Sequence, residues 1–267
     1  MNHSSSPTGK VATGEPLLAL TVDIEPDWGI SGSRAVCQTL PRLLELLDRH
    51  QASASFFVVS DMLGECAELL RRLDQRHEVG SHGCTHRKLD GLPEAEVTRE
   101  LTESRARLER ELGVEVSGIR APFLRVPPGW LRLVAQAGYR YDSSRGSVYP
   151  SPKNVPSWRW APLTDGPVVE APPTTLRTGL IPFSLTYLRV TSPFGRALAP
   201  GGDAVFYLHP HELADRSLAG VLRPPLRWIL KRNAGERAWT IVERLLESRR
   251  GGVVSCRGLL QRRGLLS

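Results

Sequence analysis

Two histidines with three residues between them, His82 and His86, are the part of this sequence best suited to binding a metal ion. They lie in the segment 81–86, directly after a short stretch that is typical of a strand. Gly83 disfavours the middle of a helix, so we expect the pair on a turn or in a first helical turn. Imidazoles at this spacing suit zinc and other late divalent metals. Two histidines that bond only to their neighbours are the alternative interpretation.

Three carboxylates lie within five residues, at Asp23, Glu25 and Asp27, after the apolar run 17–22. Like charges this close need a cation or an arginine among them, unless the segment is a solvated turn. One carboxylate could bind a metal while another takes a proton from the attacking water. Asp23 and Glu25 would point to opposite faces of a continuing strand, so a bend at Pro26 is needed for both to face one site.

Three further side chains could complete an acid/base site. Arg120 could orient a carboxylate through paired N–H bonds, although a surface ion pair would also explain it. His209 follows the apolar run 204–208 and could protonate a leaving amine, although it could also be a hydrogen-bonded core histidine. Asp142 follows the segment 139–141 and is a candidate to orient that imidazole, as paired groups do in acid/base relays.

The elements that must position these side chains alternate between strands and helices. Such alternation is typical of parallel strands joined by crossover helices, in a barrel or a doubly wound sheet. Each candidate follows a strand, the end at which such folds build their sites. Between 143 and 200 the pattern weakens, and we expect an elaborated loop region that lines a substrate groove. The predicted strands are 17–22, 53–59, 78–81, 116–119, 139–142, 168–170, 204–208 and 252–255, and the predicted helices are 34–50, 67–76, 93–112, 130–138 and 238–248.

The composition fits one ordinary globular chain of 267 residues with a formal charge of +7. Arginines are concentrated in the last third, which suits a phosphorylated substrate, an anionic membrane face or simply a solvated helix surface. No nucleic-acid partner is expected, because finger, helix-turn-helix and interleaved aromatic patterns are missing. The four scattered cysteines form no CxxC pair, which favours reduced thiols.

We interpret residues 1–15 as a disordered leader, 16–256 as a single domain and 257–267 as a basic C-terminal tail. The leader lacks the apolar centre of a secretory signal. The sequence also has no run of about 18 apolar residues that could span a bilayer. We therefore expect a cytoplasmic protein.

In their order and placement, the motifs resemble the polysaccharide deacetylase family, whose defining region is the NodB homology domain (carbohydrate esterase family 4). The resemblance extends from about Leu17 to His211. It implies an α/β fold of the distorted (β/α)7 barrel type and the metal-dependent removal of an N- or O-acyl group from a sugar. The metal would be zinc, with Co²⁺, Ni²⁺ or Mn²⁺ as alternatives. The segments that carry the resemblance are 21–25, 81–86, 120–122, 141–144 and 208–209.

Motif by motif, the resemblance also implies roles for the candidate residues. His82 and His86 would be metal ligands, Asp23 the catalytic base, Arg120 its orienting partner and His209 the general acid. The oxyanion of the tetrahedral intermediate would be stabilised by the metal and a backbone N–H.

The first motif departs from the common family pattern. That pattern has two adjacent aspartates, whereas Ile24 follows Asp23 here. The sequence fits branches with Asp-x-Glu, so Glu25 is the preferred carboxylate ligand of the metal. Asp23 and Asp27 are the alternatives, and the roles of Asp23 and Glu25 could be exchanged.

The resemblance leads us to expect a metal-dependent hydrolase that removes an N-acyl group, by preference N-acetyl, from an amino sugar. The substrate would be a glycan, a lipid-linked saccharide or a glycoconjugate precursor. Because no export signal is visible, we expect it to act in the cytoplasm, with peripheral contact to the anionic inner face of the membrane as an extension. A deformylase of a lipid-linked amino sugar and a non-catalytic carbohydrate-binding relative are the alternatives.

Overall fold

A computed structural model describes residues 14–27, 32–73, 75–144, 168–177, 179, 181–192, 195, 197, 199–214 and 226–267. Within these ranges the strands form one curled sheet in which every strand pair is parallel. The strands are β1 (Leu18–Ile24), β2 (Ser55–Val58), β3 (Glu78–Ser81), β4 (Gly118–Ile119), β5 (Tyr141–Asp142), β6 (Val169–Glu170), β7 (Ala204–Leu208) and β8 (Val253–Val254). The helices are α1 (Arg34–Arg49), α2 (Leu63–Leu70), α3 (Glu94–Leu112), α4 (Trp130–Gln136), α5 (Leu185–Thr191), α6 (Pro210–Leu213), α7 (Leu226–Lys231), α8 (Glu236–Ser248) and α9 (Cys256–Arg262).

The sheet follows the order β6-β5-β4-β3-β2-β1-β7, and β8 also pairs with β1. The chain beyond β6 then reaches β7, because the Thr174 N–H donates to the Val205 carbonyl at 3.0 Å. The Val205 N–H in turn donates to Thr174 Oγ1 at 2.9 Å. The predicted α/β fold, a distorted (β/α)7 barrel, is confirmed as a curled parallel sheet with helices packed on it.

The central strand β1 is buried along its whole length, as expected of a parallel strand with neighbours on both edges. Its side chains alternate between two apolar clusters. Leu20, Val22 and Ile24 belong to the large cluster, which also contains the buried faces of α1, α3 and α8. Ala19 belongs to a smaller cluster inside the curled sheet. The period of two therefore places Asp23 on the inner face, at the carboxyl end of the strand.

The C-terminal segment differs from the predicted tail. Leu259 and Leu260 of α9 are buried in the inner cluster, so this helix is part of the folded domain. Ser255 caps the N-terminus of this helix, because its side chain accepts a hydrogen bond from the Gly258 N–H. The arginines in 257–263 are typical of a solvated tail, whereas Cys256 is buried with the two leucines and Leu265 and Leu266 pack against the same cluster.

Other predictions fall partly outside the described residues. The leader lies almost wholly in 1–13, and part of the predicted groove lies in 145–167. The described part of 143–200 includes helix α5, which the weak pattern did not indicate. No helix in the described ranges combines the length and apolarity needed to cross a membrane.

Candidate active site

The structure brings the predicted side chains together at the carboxyl ends of the strands. Asp23 lies at the end of β1, and Glu25 directly follows that strand. His82 follows β3, Arg120 follows β4 and His209 follows β7. Because parallel strands end at the same edge, five residues that are distant in sequence share one site.

Glu25, His82 and His86 form a group that could hold a metal ion. Their ligand atoms all lie within 4.8 Å of one another. Glu25 Oε2 is 2.8 Å from His86 Nε2 and 3.5 Å from His82 Nε2. His86 Nε2 is buried and has no hydrogen-bond partner among the described residues, so its short contact with Glu25 is not in hydrogen-bond geometry. A buried nitrogen left without a partner beside a carboxylate fits a site for a divalent cation.

The ring orientation of His82 is set by a backbone group. Its Nδ1–H donates to the Arg120 carbonyl at 2.8 Å, which leaves the Nε2 lone pair directed towards Glu25. Metal-binding histidines are commonly oriented by such a bond from the second ring nitrogen.

The loop that carries His86 is held by a buried carboxylate that sequence reasoning missed. Glu100 of α3 accepts the N–H groups of Cys84 and Thr85 at 2.7 and 3.0 Å, and the Thr85 hydroxyl at 2.5 Å. His86 itself has a positive φ of 57°, and this loop conformation turns its ring back towards Glu25. Glu100 therefore holds this loop in place, although it lies 14 residues after His86 and belongs to helix α3.

Asp27, an alternative ligand in the sequence interpretation, serves a different purpose. Its Oδ2 accepts the Ala35 N–H at 3.0 Å, in the first turn of α1. Burial raises the pKa of Asp27. Within the described residues the group that could hold a metal ion contains Glu25 and includes neither Asp27 nor Asp23.

Asp23 is held by Arg120 on one side and faces His209 on the other. Arg120 Nη1 donates to Asp23 Oδ1 and to Thr21 Oγ1, both at 2.7 Å. The guanidinium is fully buried and lies over the Phe57 ring at 4.4 Å. Asp23 Oδ2 is 3.9 Å from His209 Nε2. One oxygen of Asp23 is thus engaged by the arginine, and the other is directed into the site.

His209 lies between three carboxylates. Its Nε2 is 3.9 Å from both Asp23 Oδ2 and Glu25 Oε1, and its Nδ1 is 3.3 Å from Glu212 Oε2. Burial lowers the pKa of His209, but the charges of Glu25, Glu212 and Asp23 outweigh that effect and raise it to about 9. These charges favour the protonated imidazole, which is the form that can donate a proton.

The histidines around Glu25 favour its ionised form. Burial raises its pKa, but the positive charge of His209 and the close contacts with the His82 and His86 rings hold the pKa well below its usual range. An ionised carboxylate is the form that binds a metal cation.

Asp142 is placed differently from its predicted role. It accepts hydrogen bonds from the Ser144 hydroxyl at 2.5 Å and the Ser144 N–H at 3.1 Å, and that hydroxyl also accepts the Ala121 N–H. The carboxylate at His209 Nδ1 is Glu212 instead. Glu212 lies three residues after His209, the residue that precedes α6, and its carboxylate accepts the His209 backbone N–H as in a capping box.

Comparison with known proteins identifies similar sequences. Residues 10–141 match the family model described as polysaccharide deacetylase. A chitooligosaccharide deacetylase from Rhizobium leguminosarum bv. phaseoli is 30% identical over 128 residues, which cover 47% of this chain and 50% of that protein. The corresponding figures for a chitooligosaccharide deacetylase from Bradyrhizobium sp. (strain ANU 289) are 38% identity over 88 residues, covering 29% of this chain and 40% of that protein. The matched part therefore spans half or less of each of these curated relatives.

Solved structures share the fold over most of the chain. A crystal structure from Mycobacterium smegmatis, described as a polysaccharide deacetylase, superposes with a TM-score of 0.60 at 20% identity, covering 97% of both chains. A CE4 family pseudoenzyme from Bacillus anthracis superposes with a TM-score of 0.55 at 16% identity, covering 93% of this chain and 66% of that one. At such identities the likeness concerns the fold alone.

Proposed function

We propose that this chain, a member of the polysaccharide deacetylase family through residues 10–141, is a metal-dependent hydrolase that removes an N-acyl group from an amino sugar. N-acetyl is the preferred group, in a glycan, a lipid-linked saccharide or a glycoconjugate precursor. One observation carries the proposal. An arginine-bound carboxylate, a group of two histidines with a carboxylate, and a further histidine converge at the carboxyl ends of the strands.

Glu25, His82 and His86 would hold the cation, zinc by preference, with Co²⁺, Ni²⁺ or Mn²⁺ as alternatives. When bound there, the metal would supply Lewis-acid polarisation of the amide carbonyl and would lower the pKa of water. Two observations support this assignment: the buried Nε2 of His86 makes no hydrogen bond among the described residues, and the pKa of Glu25 is lowered.

Asp23 and His209 would move the protons of the reaction. Asp23 accepts a proton from the attacking water at Oδ2, because Arg120 engages its Oδ1. The water oxygen bonds to the amide carbon, and His209 donates a proton from Nε2 to the amide nitrogen as the C–N bond breaks. The products are a carboxylic acid and the free amino sugar.

The test is hydrolysis of N-acetylated chitooligosaccharides by metal-free and zinc-loaded protein, with released acetate and free amine both measured. We expect turnover only with the metal, and its loss in the double variant His82→Ala, His86→Ala. Amide hydrolysis unchanged in that variant would overturn the mechanism. Release of formate from an N-formylated sugar, without acetate release, would indicate the deformylase alternative.

A non-catalytic carbohydrate-binding protein is the second candidate, because Ile24 stands where the common family pattern has an aspartate. Saccharide binding without turnover in the zinc-loaded protein would support it. The cytoplasmic location, the lipid-linked substrate and contact with an anionic membrane remain predictions.

A further inference from the structure

We propose that Glu212 is the positioning residue for His209, and that the buried Arg189 holds Glu212 in that place. The inference rests on the proposed function for the reaction that His209 serves, but the geometry that carries it stands by itself. In this arrangement Glu212 takes the role that the sequence suggests for Asp142.

One oxygen of Glu212 binds both the backbone and the ring of His209. Glu212 Oε2 accepts the His209 N–H at 2.9 Å and lies 3.3 Å from His209 Nδ1. Two contacts from the same oxygen restrict rotation of the ring about its side-chain bonds. They also assign Nδ1 to the carboxylate, so that Nε2 is the nitrogen turned towards Asp23 and Glu25.

The other oxygen of Glu212 is anchored to α5. Glu212 Oε1 accepts the Thr186 hydroxyl at 2.6 Å and Arg189 Nη2 at 3.1 Å. Arg189 Nη1 donates in turn to the Arg232 carbonyl at 2.7 Å, in the turn after α7. Helix α5 therefore holds the carboxylate directly, and the turn after α7 holds Arg189 in place. Both segments lie outside the motifs that carry the family resemblance.

Burial of the Arg189–Glu212 ion pair has a desolvation cost that the stability of the fold alone does not explain. The side chains of Arg189 and Glu212 both have 0% exposure. A buried ion pair is often no more stabilising than apolar residues of the same volume, because desolvation offsets the attraction. A cap for α6, a helix of only four residues, does not require a fully buried arginine behind it. The orientation of the adjacent imidazole is a reason for placing a fixed negative charge there.

The first test is Glu212→Gln, which retains an acceptor oxygen and the side-chain volume but removes the charge. We expect kcat to fall by about 100-fold or more, because loss of the carboxylate partner of a catalytic imidazole can cost up to about 10⁴-fold, with little change in KM. The matched control is Asp203→Asn. Asp203 also accepts two N–H groups of an arginine, Arg263, but it precedes β7, at the end of that strand opposite His209. The Asp203→Asn variant should be less stable than the wild-type protein and should have the same kcat.

The second test asks whether Glu212 acts through His209. In a His209→Ala background, Glu212→Gln should cause no further loss of activity. An equal fractional loss in both backgrounds, or an unchanged kcat in the single variant, would overturn the proposal. If Glu212→Gln does not fold, the double variant Glu212→Gln, Arg189→Met removes the unpaired buried charge, and its kcat should show the same loss.

A third measurement needs no variant and no turnover. In metal-free wild-type protein, NMR of the ring nitrogens should show a proton on His209 Nδ1, the ring nitrogen that faces Glu212. This proton should be protected from exchange with solvent. An unprotonated or rapidly exchanging Nδ1 would overturn the proposal. Absence of hydrolysis with this signal present would instead count against the proposed function alone.

Discussion

The carbonyl oxygen of Arg120 accepts the Nδ1–H of His82 at 2.8 Å, while the guanidinium of the same arginine binds Asp23. One residue therefore orients both a metal ligand and the proposed base, through its backbone and its side chain respectively. The two effects can be separated, because a substitution changes the side chain and retains the carbonyl.

We expect Arg120→Lys to lower kcat by about 10- to 100-fold and to leave zinc affinity nearly unchanged. Lysine keeps the positive charge but cannot donate at once to Asp23, Thr21 and Ser143, as the guanidinium does. Hydrolysis rates and competition with a zinc chelator measure the two quantities. A parallel loss of zinc affinity would mean that the side chain also maintains the His82 carbonyl contact.

The carboxylate ligand can be identified by metal affinity. Glu25→Gln should weaken zinc binding by more than about 100-fold, because it removes the anionic oxygen between the two histidines. Asp27→Asn is the matched control, since Asp27 is a nearby buried carboxylate that instead caps α1. It should lower the melting temperature and leave zinc binding intact. Weaker zinc binding in the Asp27 variant would restore Asp27 as a ligand.

Glu100 should influence the metal site without touching the metal. Replacing it by glutamine exchanges a charged acceptor of three bonds from the His86 loop for a neutral one. We expect zinc affinity to fall by about 10- to 100-fold, with a smaller effect on saccharide binding. Glu103→Gln, at an exposed position of the same helix α3, is the control and should have no effect. Equal zinc affinities for the two variants would show that the loop holds its shape without Glu100.

Metal-free protein should become less stable as the pH rises through the titration of His209. Burial opposes the charged form, but the surrounding carboxylates raise the pKa of His209 to about 9 in the folded state. An unfolded histidine titrates near about 6.5, so this stabilisation is complete below that pH and is lost as the pH rises towards 9. The contribution is about 3 kcal/mol.

Denaturant unfolding at pH values between about 6 and 9.5 would measure this loss. His209→Gln is the comparison, and the difference between the two profiles reports the titration of His209. His211 contributes with the opposite sign below about pH 7, because burial and the charge of His209 lower its folded pKa to about 4, whereas an unfolded histidine titrates near about 6.5. Burial raises the pKa of the Cys66 thiol, which lowers stability above about pH 8 in both proteins. Equal slopes for the two proteins above about pH 7 would contradict the expected coupling.

Much of the site could be predicted because its residues follow strands. In parallel folds the strand ends converge, so Asp23, His82, Arg120 and His209 meet once the alternation of strands and helices is recognised. Sequence position does not give the direction of a side chain, and that is why Asp142, correctly placed at a strand end, turned out to contact Ser144.

The supporting residues were harder to find because they act across elements. Glu100 belongs to the interior of a charged helix, where a carboxylate is usually solvated. Glu212 lies three residues after a histidine, which is not a usual capping residue, and its partner Arg189 lies in a region without clear periodicity. The burial of Leu259 was concealed by the arginines around it.

The alternation along β1 also restricts how such an enzyme can evolve. Ile24 lies between the two functional carboxylates, yet its side chain is fully buried in the large apolar cluster on the other face. An aspartate at this position would place a charge among apolar side chains, at a cost of several kcal/mol. A single Ile24→Asp change should therefore destabilise the fold, and the adjacent-aspartate form of the motif would become accessible only together with changes in the neighbouring core.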